Sequence, residues 1–284
     1  MNNSSAAPAP ATGSYVFRAI FLVLGALAIY YAYKALFTED IKRAVLIKDV
    51  FTAKSDNAKP YLFSRGVVPP IYEGGEYSVS MWIYINDFNF PTRSVNKGIL
   101  TIGNVEDPDG IITLGVYLDG NENKLHVRTS YAAAENSASG PAGVTSGTLK
   151  RSDYNALFTS ANQMGDNTGS RECTVSPIEL QRWVHLAFTL NGKTVDTYVD
   201  GKLARSCVLP SVFKVDQKYS ILVANNGGFG GYLSGTVAYD YAINPEQVYR
   251  TYMAGPLGAI GLMDYLKSFF DPKSIGTLDY PKMN

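Results

Sequence analysis

The side chains able to do chemistry are few. The chain of 284 residues holds two histidines, His126 and His185, and two cysteines, Cys173 and Cys207. Both histidines fall inside alternating apolar stretches, and nothing around either completes a nucleophile–base arrangement or a zinc set. They read as packed or hydrogen-bonded strand residues, and Trp82 and Trp183 as core aromatics. The acidic run Glu106-Asp107-Pro108-Asp109 contains proline and precedes Gly110, so it reads as a solvated turn. Asp119, Asn121 and Glu122 offer oxygens to calcium, although a hard cation needs six or more ligands and hairpin turns use the same residue types. Calcium is the one cofactor left open; no other is expected. Phe229, in the run NNGGFGG, is the aromatic that sugar stacking would use. Twenty-five basic residues balance twenty-five acidic ones, and no basic stripe interleaves with aromatics, which argues against nucleic acid as a partner.

The elements that must position these groups are read from periodicity. Twenty Tyr and thirteen Phe with 26 Gly and 14 Pro suit many short strands joined by tight turns. The stretch from Arg182 to Val208 carries two turn dipeptides, Asn191-Gly192 and Asp200-Gly201, and predicts a three-stranded meander. A two-residue loop at Asn191-Gly192 would place Phe188 opposite Val195, Leu186 opposite Thr197 and Val184 opposite Val199. The second turn would place Tyr198 opposite Leu203 and Asp196 opposite Arg205. Tyr77 to Ile85 alternates, with Tyr77, Val79, Met81, Ile83 and Ile85 on one face. Further strands are predicted over Ala44 to Phe51, Ile99 to Gly103, Ile111 to Leu118, Lys124 to Thr129, Tyr219 to Ala224 and Tyr232 to Ala242. Asn244-Pro245 starts a short helix and Gly255-Pro256 ends it. Leu257 to Phe270 reads as an amphipathic helix stopped by Asp271-Pro272. Residues 131–171 lose all pattern; a run of about 40 residues is long for a connection, so it is expected to be a surface binding loop or an element that orders on assembly. Cys173 precedes the first meander strand and Cys207 ends the third, which could bring them close enough for a disulfide; a cytosol-facing domain usually keeps thiols reduced, so bridged and reduced states both stay open.

The N-terminal part has a different character. Residues 1–14 read as a disordered tail. Residues 15–37 contain a charge-free run with Ala19, Ile20, Phe21, Leu22, Val23, Leu24, Leu27, Ile29 and Tyr30. As a helix these 23 residues span roughly 34 Å, enough for a hydrocarbon core of about 30 Å. A cleaved signal peptide would want a basic start and a small-residue site after the run, and a buried helix would need a protein shell its polar neighbours do not supply. A single-pass anchor in a lipid bilayer is therefore expected. Lys34, Lys42, Arg43 and Lys48 follow the run against Arg18 before it, favouring a cytoplasmic C-terminal part. The only Asn-x-Ser/Thr sequons, at Asn2 and Asn3, agree with that side. A juxtamembrane linker with a first strand occupies 38–59, the sandwich 60–256, and a C-terminal helix and tail 257–284.

Three motifs in order, YSVSMWIYI, WVHLAFTLNGKTVDTYVDGKL and GGFGGYLSGTVAYDYAINPEQVYRTYMAG, resemble the laminin-G and pentraxin-like branch of the concanavalin A-like jelly rolls. Trp82 lies in the first; Trp183, His185, Ala187, Tyr198, Asp200 and Gly201 occupy the W-x-H-x-A and Y-V-D-G patterns of the second. The resemblance implies an all-β antiparallel jelly-roll sandwich, here with an N-terminal transmembrane helix and a short C-terminal amphipathic helix. The superfamily includes glycan binders, glucanases and plain interaction modules. The glucanases' Glu-x-Asp-x-x-Glu run is missing, so no enzyme is expected. An anchored sandwich of this kind resembles the membrane-embedded minor capsid proteins of large icosahedral DNA viruses, which implies other capsid or membrane proteins as partners and a capsid-facing domain in the virion. The alternative is a membrane-anchored glycan-binding surface protein.

Overall fold

The computed structural model describes residues 12–37, 42–54, 61–132, 147–159 and 170–256. Two compact units divide the chain, Met1–Asp40 and Ile41–Asn284. The first contains one helix, α1 (Thr12–Phe37), starting three residues before the sequence reading placed it. Its side chains are described over residues 17–30, where Ile20, Phe21, Leu22, Val23, Leu24, Leu27, Ile29 and Tyr30 are all exposed. Among the described residues no helix is long and apolar enough to cross a membrane.

The second unit runs β1 (Arg43–Ile47), β2 (Phe51–Lys54), β3 (Tyr61–Ser64), β4 (Glu76–Asp87), β5 (Lys97–Gly103), β6 (Ile112–Leu118), β7 (Leu125–Thr129), α2 (Arg151–Ala156), β8 (Arg171–Val175), β9 (Trp183–Asn191), β10 (Thr194–Val199), β11 (Lys202–Val208), β12 (Ser220–Val223), β13 (Gly228–Tyr239) and α3 (Pro245–Ala254). One sheet has the order β1-β13-β4-β9-β10-β11, with β2 also on β13; the other has β3-β12-β5-β6-β7-β8. Every pairing is antiparallel. The inner faces meet in one core: Tyr77, Val79, Met81, Ile83 and Ile85 from β4 and Val184, Leu186, Phe188 and Leu190 from β9 face Leu100, Ile102, Leu114, Val116 and Val127 of the second sheet. Each such side chain contributes roughly 1.5–3 kcal/mol by leaving water.

The meander forms with a slipped register. Asn191 and Thr194 pair across the first turn, so Val195 lies opposite Leu190, Thr197 opposite Phe188 and Val199 opposite Leu186. Gly192 takes φ +56 and Lys193 stays out of the left-handed region, as in a type II′ turn, so the two-residue loop is Gly192-Lys193 and not Asn191-Gly192. Because side chains alternate with period two, a two-residue slip leaves the apolar face intact. Asp200 and Gly201 make the second turn with φ +49 and +77, and Tyr198 faces Leu203 as predicted. A bulge then shifts β11, so Asp196 faces Ser206, not Arg205, and Cys207 comes opposite Val195. There Cys207 is bridged to Cys173 of β8, tying the last strand of one sheet to the last strand of the other.

Elsewhere the structure departs from the periodic reading. The predicted strand over Ala44 to Phe51 is two strands, β1 and β2, both paired to β13. β13 begins at Gly228, inside the run expected to be a loop, and Phe229 is fully buried in the core, which removes it as a sugar-stacking surface. Gly231 makes this approach feasible, since a Cβ there would lie 1.9 Å from the Tyr84 carbonyl oxygen. Within the patternless stretch, residues 147–159 fold against the outer face of the second sheet. Leu149, Tyr154, Leu157 and Phe158 form a second apolar cluster with Ile112 and Tyr117. The tail at 1–11, residues 133–146 and 160–169 of the long loop, and the amphipathic stretch from Leu257 lie outside the described residues.

Candidate functional site

The motif residues gather on the outer face of the first sheet, beneath α3. This helix is set by a capping box: Asn244 Oδ1 accepts from the Gln247 backbone N–H at 2.8 Å, and Gln247 Oε1 accepts from the Asn244 N–H at 3.1 Å. Pro245 occupies the first turn. The helix buries Val248 in a cluster with Ala187, Tyr198, Val237, Tyr239 and Ile243. Trp82 of β4 and His185 of β9 are direct cross-strand partners, with ring centroids 5.1 Å apart. Tyr252 of α3 stacks on Trp82 at 5.8 Å and 17°. His185 Nε2 lies 2.9 Å from the Ser80 hydroxyl, and its Nδ1 has no hydrogen-bond partner among the described residues.

Asp200 and Gly201 serve the same seat. Asp200 Oδ1 accepts the His185 backbone N–H at 2.9 Å, and Oδ2 accepts from Arg182. A Cβ on Gly201 would stand 3.1 Å from Tyr252 Cδ1 and 3.2 Å from Tyr249 Cδ2, so this glycine serves both the turn and the close approach of α3. Burial pushes the His185 imidazole down to about 4, against the opposing pull of Asp200, so the ring is neutral at neutral pH. Trp183 stands apart from this stack, facing Tyr84 at 5.6 Å. The structure thus brings Trp82, His185, Tyr198, Asp200 and Gly201 together; the Ser80 hydroxyl and the Tyr252 ring lie beside the imidazole, while the Asp200 carboxylate is engaged by the His185 backbone N–H and Arg182 and not by the ring.

A second polar group, which the sequence reading did not assemble, lies on the outer face of the other sheet. Tyr117 of β6 stacks on His126 of β7 at 5.0 Å and 8°. Arg128 Nε donates to the Tyr117 hydroxyl at 3.0 Å, and its terminal nitrogen donates to Glu172 Oε2 at 2.5 Å. His126 Nδ1 contacts Glu172 Oε1, while Nε2 lies 3.4 Å from Asp119 Oδ2. Burial works to raise the Glu172 carboxyl, but His126 and Arg128 outweigh it and hold it below the ordinary value. Asp119 behaves alike: burial is offset by the backbone N–H groups of Asn121 and Glu122, and by His126. Those two N–H groups bond Asp119 Oδ1 at 2.7 and 2.9 Å, and Glu122 pairs with Lys124, so the residues considered for calcium close a hairpin turn. Among the described residues no group of three or more His, Cys, Asp or Glu could hold a metal ion. Alternation along β6, β7 and β8 would have placed Tyr117, His126, Arg128 and Glu172 on one face, had their pairing been known.

Beside α3 the first sheet opens into a cleft of about 190 Å³. It is lined by Trp82, Val237 and Tyr239 of the sheet, by Arg43 of β1 and by Arg250 and Thr251 of α3. The opening coincides with an irregularity in β13 between Ser234 and Val237, where Gly235 adopts φ +54. The Ser234 hydroxyl donates to the Pro256 carbonyl at 2.6 Å and fixes the end of the helix segment over the bulge.

Comparison with known proteins places residues 149–249 in match with the model of the concanavalin A-like lectin/glucanases superfamily, of laminin G type. No curated protein matches the sequence. Similar solved structures include the binding domain of botulinum neurotoxin serotype D, with TM-score 0.42 and 11% identity, covering 64% of this chain and 37% of that one. The ligand binding domain of the same serotype in complex with N-acetylneuraminic acid has TM-score 0.42 and 12% identity, covering 75% and 42%. Trypanosoma rangeli sialidase in complex with sialic acid has TM-score 0.39 and 12% identity, covering 64% and 23%. The chain spans about two fifths or less of the length of these three. The strand order, the buried two-sheet core and the family match together make the fold a mostly antiparallel β sandwich of the concanavalin A-like kind.

Proposed function

We propose that the chain is a non-enzymatic, membrane-anchored interaction module, in which α1 holds a lectin-like sandwich at a bilayer. One observation carries this reading: over residues 17–30 the helix presents large apolar side chains on all sides, with Phe21, Leu22 and Ile29 each more than 70% exposed. A helix apolar all round needs hydrocarbon or a protein shell about it. The non-catalytic part is supported by the fate of most motif residues: Trp82, His185 and Tyr198 are buried beside α3, and Asp200 bonds the His185 backbone N–H and Arg182. The finer role we propose is that of a minor capsid protein, tethering an internal viral membrane to the capsid shell, with the sandwich on the cytoplasmic or capsid-facing side. It rests on the resemblance of the anchor-plus-sandwich arrangement to such proteins.

A second reading, a membrane-anchored glycan binder, is favoured by the lectin description of the matching superfamily. Fractionation separates the two. The full chain should resist carbonate extraction, be released by detergent, and crosslink to shell proteins in particles. Release by carbonate would refute the anchor, and saturable binding on a glycan array with no particle association would favour the second reading.

A further inference from the structure

The cleft beside α3 is unused by the role proposed above, and its chemistry is specific. Arg43 and Arg250 line it together with the aromatic side chains Trp82 and Tyr239, and no carboxylate is among the described residues lining it. The Arg43 guanidinium carbon sits 6.0 Å from the Tyr239 ring centroid. Arg250 donates to Glu246 at 2.6 Å, but both side chains are about 70% exposed, and a pair so wet contributes little and exchanges readily. Planar guanidinium forks match the oxygens of phosphate and carboxylate groups. A cavity of 190 Å³ is below the roughly 300–1,000 Å³ that encloses a drug-sized ligand, so it suits a single charged headgroup better than an oligosaccharide.

The neighbourhood points to where that headgroup comes from. In sequence, Arg43 follows the last residue of α1 by six positions. Lys42, exposed, adds a further cation just before it. On α3, Tyr249 and Met253 lie one turn apart and are 49% and 64% exposed, next to the Arg250–Ala254 row that borders the cleft. Exposed aromatic and Met side chains beside arginines are the composition that sits at a membrane–water interface.

We infer that this cleft binds the phosphate headgroup of an anionic lipid belonging to the bilayer that holds α1. The inference rests on the anchored reading. Bound there, the headgroup takes hydrogen bonds from Arg43 and Arg250 while Tyr249 and Met253 meet the interfacial region.

The test uses the full chain with Trp183→Phe, leaving Trp82 as the reporter, in nanodiscs of phosphatidylcholine alone or mixed with phosphatidic acid. A change in Trp82 emission in the anionic discs only, lost in Arg43→Gln and Arg250→Gln and only partly restored in Arg250→Lys, which keeps the charge without the fork, is the expected result. In solution each Gln variant should weaken binding of dihexanoyl phosphatidic acid about tenfold. Circular dichroism of these exposed-site variants checks that they fold as the parent does. Equal emission in both disc types, or no loss in the Gln variants, overturns the proposal. An equal response to inorganic phosphate overturns the lipid source in favour of a free anion. A chain that does not enter discs refutes the anchored reading separately, and the dihexanoyl lipid titration still decides whether the cleft takes a phosphate headgroup.

Discussion

His185 makes the stability of the sandwich depend on pH in a calculable way. The side chain is fully buried, between Trp82, Ser80 and Tyr252, and its folded-state value is pushed down to about 4 from an ordinary 6.5. The unfolded chain therefore binds the proton more readily than the folded one. The sign follows: the contribution is fully present above about pH 6.5, falls as pH drops through the window to 4, and is lost below it. A gap of this size corresponds to about 3 kcal/mol at full extent, at 1.36 kcal/mol per unit. For a unit of this length that is roughly 6–12 °C in melting temperature. His185→Gln keeps a polar group facing Ser80 and removes the titration. Melting curves of parent and variant at closely spaced pH between 4 and 7 should converge as pH falls, the variant being the flatter of the two. Asp119 and Glu172, both held below the ordinary carboxylate range, contribute equally to parent and variant and cancel in the difference. Parallel curves across the window would refute the argument that His185 sits neutral and dry beneath α3.

Further outcomes follow from named contacts. Gly115→Ala places a Cβ 2.4 Å from Tyr154 Cε2, so it should cost about 1–3 kcal/mol by overpacking and nothing in a Tyr154→Ala background, as a double-mutant cycle in urea would measure. Removing the Cys173–Cys207 bridge, with a sequence separation of 34, should cost about 3–4 kcal/mol, read as a lowered denaturation midpoint under reducing conditions. Asn244→Ala deletes the N-cap of α3 and should cost about 1 kcal/mol by thermal melting. Leu22→Arg with Leu24→Arg should turn the full chain from detergent-dependent to carbonate-extractable, since each charge at a helix centre costs about 2.5–3.5 kcal/mol on insertion.

What the sequence made legible was local. The Asp200-Gly201 turn, the alternation of Tyr77 to Ile85 and the Asn244-Pro245 cap are decided by neighbours a few residues away, and each stands in the structure as read. The Asn191-Gly192 loop was misplaced by one residue because asparagine and lysine compete for the same turn and the choice is made by pairing. Glycines such as those around Phe229 usually mark loops; here they let two backbones touch, and the ring is buried. The Tyr154–Gly115 contact and the approach of Glu172 to Arg128, 44 positions away in sequence, depend on which elements lie side by side, so no local pattern encodes them. The motif residues were recognised as a set, but their common purpose, seating α3, came only with the third dimension.

Among the described residues no strand pairs with the outer edge of β11, the last strand of the first sheet, and of its seven residues only Cys207 is buried. An edge of unpaired backbone invites a second chain to add on, and flat apolar edges do so without limit. This edge is instead bent by the bulge opposite Thr197 and Tyr198 and carries Lys202 and Arg205, while the cystine holds its far end down. Many copies crowded side by side would meet there as like charges on mismatched ladders. The strand thereby resists edge-to-edge pairing of the sandwich with a copy of itself.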